Sequence, residues 1–291
     1  MGPERAVVAC FGLRWIAGRY RRRQLSDQMF LLDTLWLSTS FWVSVYLMGS
    51  HDGFRYALGL VPFAVYKAIS GYRLRRLAAD AARLPQGRLL FLRVFGASSR
   101  SEKLFDLLEA RWRYAGGIRL IGATDVARGR FEPDEFLEFL GGRLRSSYIR
   151  TRDDLDRRLA RRNDGPDPDG RYRVEELFCR ADTWQPTVTR LMAESHLVAM
   201  DLRGFTLDRK GCIFELGTLI DTVPLERVAL LIDRTTDEPL LRRTLDDLWR
   251  TMTPQSPNAS TAPVRLRIID LECGYPAAVR RLMQLGDQML A

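Results

Sequence analysis

Histidine and cysteine are scarce in this 291-residue chain: two of the first (His51, His196) and four of the second (Cys10, Cys179, Cys212, Cys273). Two histidines exclude a histidine-rich metal centre and leave only these two candidates for a Ser-His-Asp triad. The cysteines stand far apart with no CxxC pair, which argues against a zinc ribbon or a thioredoxin-type site and points to a reducing compartment. The glycine patterns that cradle nucleotides are missing too. Without GxGxxG or GxxxxGK(S/T), neither a standard dinucleotide oxidoreductase nor a P-loop ATPase is expected. HExxH and GxSxG are also absent, so the usual zinc peptidase and serine-hydrolase signatures are lacking. At 28% charged and 46% hydrophobic, the composition excludes a disordered tail, a collagen-like repeat and a disulfide miniprotein.

What is present is unevenly spread. Of the net charge of +9, residues 1–87 hold a surplus of seven, twelve basic against five acidic, and the rest of the chain only two. A basic chain usually suggests nucleic acid. Here the cations flank apolar segments, so membrane lipid is the expected partner and nucleic acid is not. Residues 29–49 carry one charge, Asp33, and are long enough for a ~30 Å hydrocarbon core. Residues 54–72 form a second, weaker span, interrupted by Pro62 and by Lys67, whose ammonium can snorkel to the interface. Between them lies the polar turn Ser50-His51-Asp52-Gly53.

Arginines precede the first span (Arg19, Arg21, Arg22, Arg23) and follow the second (Arg73, Arg75, Arg76). By the positive-inside rule this predicts a multi-pass protein of the cell membrane, with both termini on the cytoplasmic side. A buried helical hairpin of a soluble domain is the other reading of the same stretch. The first 18 residues suit an amphipathic interfacial helix.

From residue 88 the pattern becomes alternating α/β. Apolar runs at 89–95, 118–122, 196–202, 227–233 and 264–270 read as strands, separated by helical patterns near 102–115, 185–194, 210–222 and 237–251 and followed by one at 275–290. Ser101 is the candidate N-cap of the first. Five strands alternating with helices imply a flavodoxin-like parallel sheet covered on both faces, with ligands beyond the carboxyl ends of its strands. Residues 123–183 interrupt the rhythm: 133–148 and 150–162 look helical, and 171–180 suit an edge strand.

One carboxylate stands out. After the strand ending at Asp201-Leu202 comes a polar loop, then a helix with Cys212, Ile213, Phe214, Leu216, Leu219 and Ile220 around Glu215. A carboxylate among apolar neighbours near a strand's carboxyl end is catalytic, or lies on an exposed strip of the helix, or is paired structurally, here with Arg203 or Arg209.

The stretch Trp184–Met200, followed by Gly211-Cys-Ile-Phe-Glu-Leu216 and Val228–Ile232, resembles the TIR (Toll/interleukin-1 receptor) domain family over roughly 88–250. Gly211 stands where a tryptophan is usual, and the insertion 123–183 replaces the compact second and third elements. The resemblance implies cleavage of the nicotinamide N-glycosidic bond of NAD, as substrate and not cofactor, with Glu215 as catalytic carboxylate. It also implies self-association into homo-oligomers, a signalling or defence role, and no metal. The substrate site is then expected from the Ser98-Ser99-Arg100-Ser101 turn, which suits a phosphate at a helix start, and from Asp201, Arg203, Phe205 and Cys212, with Phe95 as a further stacking candidate. Three alternatives remain open: a nucleoside deoxyribosyltransferase-like enzyme with Asp201 on the sugar hydroxyls, a non-enzymatic self-association adaptor, and a nucleotide sensor.

Overall fold

The computed structural model describes residues 15–16, 18–20, 22–47, 58–81, 86–93, 99–123, 148–160, 162, 164–260 and 265–290. They fall into two compact units, one formed by 1–84, 130–144 and 163–171 and the other by 85–129, 145–162 and 172–291.

The first unit contains helices α1 (Asp27–Leu47) and α2 (Val61–Ala81). The Ser26 hydroxyl accepts the Met29 N–H at 3.2 Å and so satisfies one of the unpaired donors at the start of α1. From Gln28 to Leu47, α1 is long and apolar enough to cross a membrane. Its large side chains point outward, with Trp42 68% exposed, where a helix of a soluble core would bury them. The two helices pack antiparallel. Lys67 Nζ meets Asp33 Oδ2 at 2.7 Å, the Trp36 and Tyr66 rings stack at 5.4 Å, and Gly59 sits so close to Ser44 that a Cβ would collide with it. The second helix differs from the expected span 54–72. It is described from Val61 and runs on through Arg73, Arg75, Arg76 and Asp80, because nothing in that basic stretch breaks a helix. These charges leave α2 less apolar than a membrane span. The expected turn at 50–53 and most of the first 18 residues lie outside the described residues.

The second unit is a seven-stranded sheet, parallel at every pairing, in the order β3-β4-β2-β1-β5-β6-β7. The strands are β1 (Gly87–Arg93), β2 (Gly116–Ala123), β3 (Tyr148–Ile149), β4 (Val174–Cys179), β5 (Leu197–Asp201), β6 (Val228–Ile232) and β7 (Arg267–Asp270). Helices α3 (Ser99–Trp112), α4 (Arg152–Ala160), α5 (Trp184–Glu194), α6 (Lys210–Thr222), α7 (Glu238–Arg250) and α8 (Tyr275–Leu290) separate and follow them. The five expected strands are present and parallel. The sheet holds two more, since 174–179 lies inside it between β2 and β3. The edge position falls to the two-residue β3.

Burial on both faces explains why Leu197–Met200 of β5 and all of β6 are continuous apolar runs, with every residue of both strands buried. Leu90, Leu92, Val198, Met200 and Leu230 face α5, α6 and α7, whereas Leu89, Phe91, Leu197, Ala199 and Leu231 face α3 and α8. Helix α3 begins at Ser99, so Ser101 lies in its first turn and is not the N-cap. The N-cap role is clear at α7, where Asp237 Oδ1 accepts the Leu240 N–H at 3.0 Å and Pro239 follows inside the first turn. Most of the helix expected at 133–148 lies outside the described residues, and its last residue, Tyr148, opens β3.

At the amino ends of β1 and β2, Gly87 and Gly116 are register partners, and a Cβ on Gly116 would overlap the Gly87 carbonyl oxygen. Only a missing side chain lets the two backbones come this close. Gly116→Ala is therefore expected to cost about 1–3 kcal/mol, read as a lowered urea midpoint with an unchanged slope.

Candidate active site

The strand order turns back at β1, which has β2 on one side and β5 on the other. The crevice outside the carboxyl ends of two such strands is where open α/β sheets place their ligands. Here those ends are Arg93 and Asp201, directly paired in register.

Helix α6 follows β5, and Glu215 is its sixth residue. Glu215 is 4% exposed and packs among the residues of the α5–α6 side of the core. Among the described residues no hydrogen bond or ion pair reaches its carboxylate, and burial pushes its pKa up to about 8. It sits roughly 7–8 Å along the axis from the helix start. The positive end of the helix dipole, which acts within the first turn, therefore offsets little of that cost. Cys212 precedes it by one turn on the same buried side. Burial pushes that thiol up to about 12, and the Glu215 carboxylate adds to the effect, so Cys212 is an inert neighbour and no nucleophile.

The expected structural partner Arg203 is engaged elsewhere. It grips Asp201 with two hydrogen bonds, Nη2 to Oδ2 at 2.6 Å and Nε to Oδ1 at 2.9 Å. Its Nη1 also donates to the Tyr275 hydroxyl at 3.1 Å, with the guanidinium 5.6 Å from the Tyr275 ring centroid. Burial alone would push the Arg203 pKa down, but the Asp201 carboxylate holds it above its ordinary value. Asp201 is thus committed to a buried ion pair and is not an open acceptor for sugar hydroxyls. Phe205 is 1% exposed and belongs to the core, so the expected stacking surface is closed: the loop after β5 folds its aromatic ring inward.

Ser98 and Phe95 lie outside the described residues, and Ser99, Arg100 and Ser101 form the first turn of α3. Of the expected site residues, the structure brings Glu215 and Cys212 onto one buried helix side and Asp201 and Arg203 into one ion pair.

Several neighbours were not foreseen. Trp184, the first residue of α5, reaches across to α6: its Cη2 lies 3.7 Å from where a Gly211 Cβ would sit, and its ring meets that of Phe214 edge-on at 5.2 Å. The start of α6 has no side-chain cap and no acidic residue in its first turn; its N–H groups are satisfied largely by backbone, Arg209 by the Thr206 carbonyl at 3.1 Å, Lys210 by that of Asp208 at 3.0 Å and Cys212 by that of Arg209 at 2.9 Å. The loops after β5 and β6 are tied together, Gly204 N–H to Thr235 Oγ1 at 3.1 Å and Thr236 Oγ1 to the Leu202 carbonyl at 3.1 Å. His196 is remote from this end. Its Nδ1 accepts the Arg88 N–H at 3.1 Å, and burial, aided by nearby arginines, pushes its pKa down. No cluster of His, Cys, Asp or Glu with metal-binding geometry occurs among the described residues. The chain matches no family model, and comparisons with characterised proteins and with solved structures return no match.

Proposed function

We propose that this chain is a membrane-anchored, TIR-like hydrolase of the nicotinamide N-glycosidic bond of NAD, with Glu215 as its catalytic carboxylate. The observation that carries the reading is a carboxylate 4% exposed, without an ionic partner, on the helix that follows the strand at the sheet's switch point. Holding an unpaired carboxylate in that position is costly, and such perturbed groups cluster at sites of chemistry.

In the reaction the C1′–N bond breaks, nicotinamide leaves with the bonding pair, and water adds to C1′ and loses a proton. The ribosyl centre passes through an oxocarbenium-like state that an adjacent carboxylate stabilises. NAD supplies a cationic leaving group, so no strong general acid is needed. A cation beside Glu215 also favours its ionised form, which turns a carboxyl group protonated at rest into a charged stabiliser when substrate is bound. We assign the pyrophosphate to the amino end of α6, where the positive end of the helix dipole and the basic residues Arg209 and Lys210 coincide.

The anchor is α1, with α2 lying back against it and both ends of the pair on the cytoplasmic side. The Lys67–Asp33 contact at 2.7 Å supports this arrangement, because it cancels the charges that otherwise weaken each span.

A second reading has an observation of its own. Burial of Glu215 closes the site in a single copy, which suits either a domain that opens on self-association or an adaptor that never turns over. Full-length protein in detergent, incubated with NAD, separates the two. A hydrolase releases nicotinamide, with specific activity rising as protein concentration rises. Self-association without nicotinamide at any concentration supports the adaptor.

A further inference from the structure

We propose that the outer face of α2 at Tyr72, Arg73 and Arg76 seats the phosphate of an anionic phospholipid. The inference deepens the membrane reading and rests on it. Ala68, Ile69, Tyr72, Arg73 and Arg76 recur with helical spacing and line one shallow groove of about 680 Å³. That volume lies within the range of small-ligand sites, roughly 300–1,000 Å³. Along the helix axis the stripe passes from apolar to cationic within about 12 Å, the order in which an acyl chain gives way to a headgroup phosphate.

Three further observations favour that occupant. Ile69, Tyr72, Arg73 and Arg76 are all exposed. The Arg76 guanidinium lies 4.6 Å from the Tyr72 ring centroid, and this cation–π contact holds it over the groove. Among the described residues neither Arg73 nor Arg76 makes an ion pair, so both retain their capacity for an anion.

Position decides between a lipid and a free phosphate. Asp33 faces Lys67 in the antiparallel pair, and Arg73 lies six residues further along α2. That advance of about 9 Å brings it level with the start of α1, where the apolar stretch Gln28–Leu47 begins. The groove therefore sits at the depth of the headgroups. A tyrosine beside arginines is the side-chain set that interfaces favour.

The test uses the full chain in a neutral detergent, titrated with dioleoylphosphatidylglycerol, with dioleoylphosphatidylcholine or with inorganic phosphate, and reads the melting temperature. Phosphatidylglycerol is expected to raise it saturably, with phosphatidylcholine and inorganic phosphate having little effect. In Arg73→Gln/Arg76→Gln, half-saturation is expected to require about thirtyfold more phosphatidylglycerol, from the usual worth of two arginines at an anionic surface. Arg180→Gln, a substitution in the α/β unit, serves as the control and should titrate like the wild type. Equal shifts with phosphatidylcholine, equal shifts with inorganic phosphate, or an unchanged titration in the double variant would each overturn the proposal. Alkaline extraction of cell membranes tests the membrane reading separately. A chain released by alkali that still responds to phosphatidylglycerol through Arg73 and Arg76 is a peripheral lipid binder, not a spanning protein.

Discussion

Glu215→Gln is expected to cut NAD cleavage by about 10²–10³-fold and, in the same molecule, to raise stability. The rate loss follows from removing one preorganised charge from the transition state, worth roughly 3–4 kcal/mol. The stability gain follows from burial. In the unfolded chain Glu215 ionises near pH 4.5, whereas in the fold it holds its proton up to about pH 8. Between those values unfolding releases a proton, so the protein loses about 1.4 kcal/mol of stability for each unit the pH rises. The stabilising protonated state is fully present below pH 4.5 and its advantage is spent above about pH 8. The glutamine variant has no such proton to release, and it should gain about 3 kcal/mol over the wild type at pH 7 and little at pH 4. Urea denaturation at the two pH values, alongside nicotinamide release, reads both effects. A variant less stable than the wild type at pH 7 would mean that Glu215 is a structural carboxylate with a partner. An active wild type with an equally active variant would remove it from the chemistry.

Asp201→Asn is expected to destabilise the second unit by about 3–5 kcal/mol, a large loss for a single polar substitution. The Asp201 and Arg203 side chains are 3% and 8% exposed, so the substitution leaves a guanidinium charge with a neutral amide in a site nearly closed to water. Tyr275 gives Arg203 only one hydroxyl acceptor, and the Asp233 carboxylate acts on it more weakly than Asp201 does. Replacing both partners, as in Asp201→Leu/Arg203→Met, removes the stranded charge and should recover most of the loss. Melting curves of the single and double variants give the answer. A double variant no more stable than Asp201→Asn would show that packing around Tyr275, rather than the charge, is what the pair protects.

The parallel core was legible because its strands are buried on both sides and so must be unbroken apolar runs, as in Leu197–Met200 and Val228–Ile232. Helix α8 was legible from its helical pattern at 275–290, and the structure adds that Gly274 takes a left-handed φ of +89° just before it. β4 was harder. Glu175 and Glu176 sit in a strand inside the sheet, where Glu176 pairs with Arg93 at 3.4 Å and Glu175 lies 3.8 Å from the buried Arg119. Charge cancelled by a partner far along the chain leaves no local periodicity. The same reason hides the Lys67–Asp33 contact, whose two members look like separate flaws in separate spans. For Glu215, the apolar neighbours forecast burial. Arg203 turns instead to Asp201, a partner only two residues away, and it adds the Tyr275 hydroxyl, 72 residues further on, which no spacing rule reaches.

The two rims of the sheet also constrain how it could be extended by another strand. Strand addition needs a run of free backbone donors and acceptors along an outer strand. Among the described residues one rim is the two-residue β3, and the other is β7, four residues long, beginning at Arg267 and ending at Asp270, with Arg267 Nη1 donating to the Glu226 carbonyl at 3.0 Å. Neither offers a template on which sheets could fuse end to end into a continuous ribbon. If copies of this unit associate, helix surfaces and loops are the expected contacts, ones that side-chain substitution can tune and reverse, in contrast to the near-irreversibility of cross-strand growth.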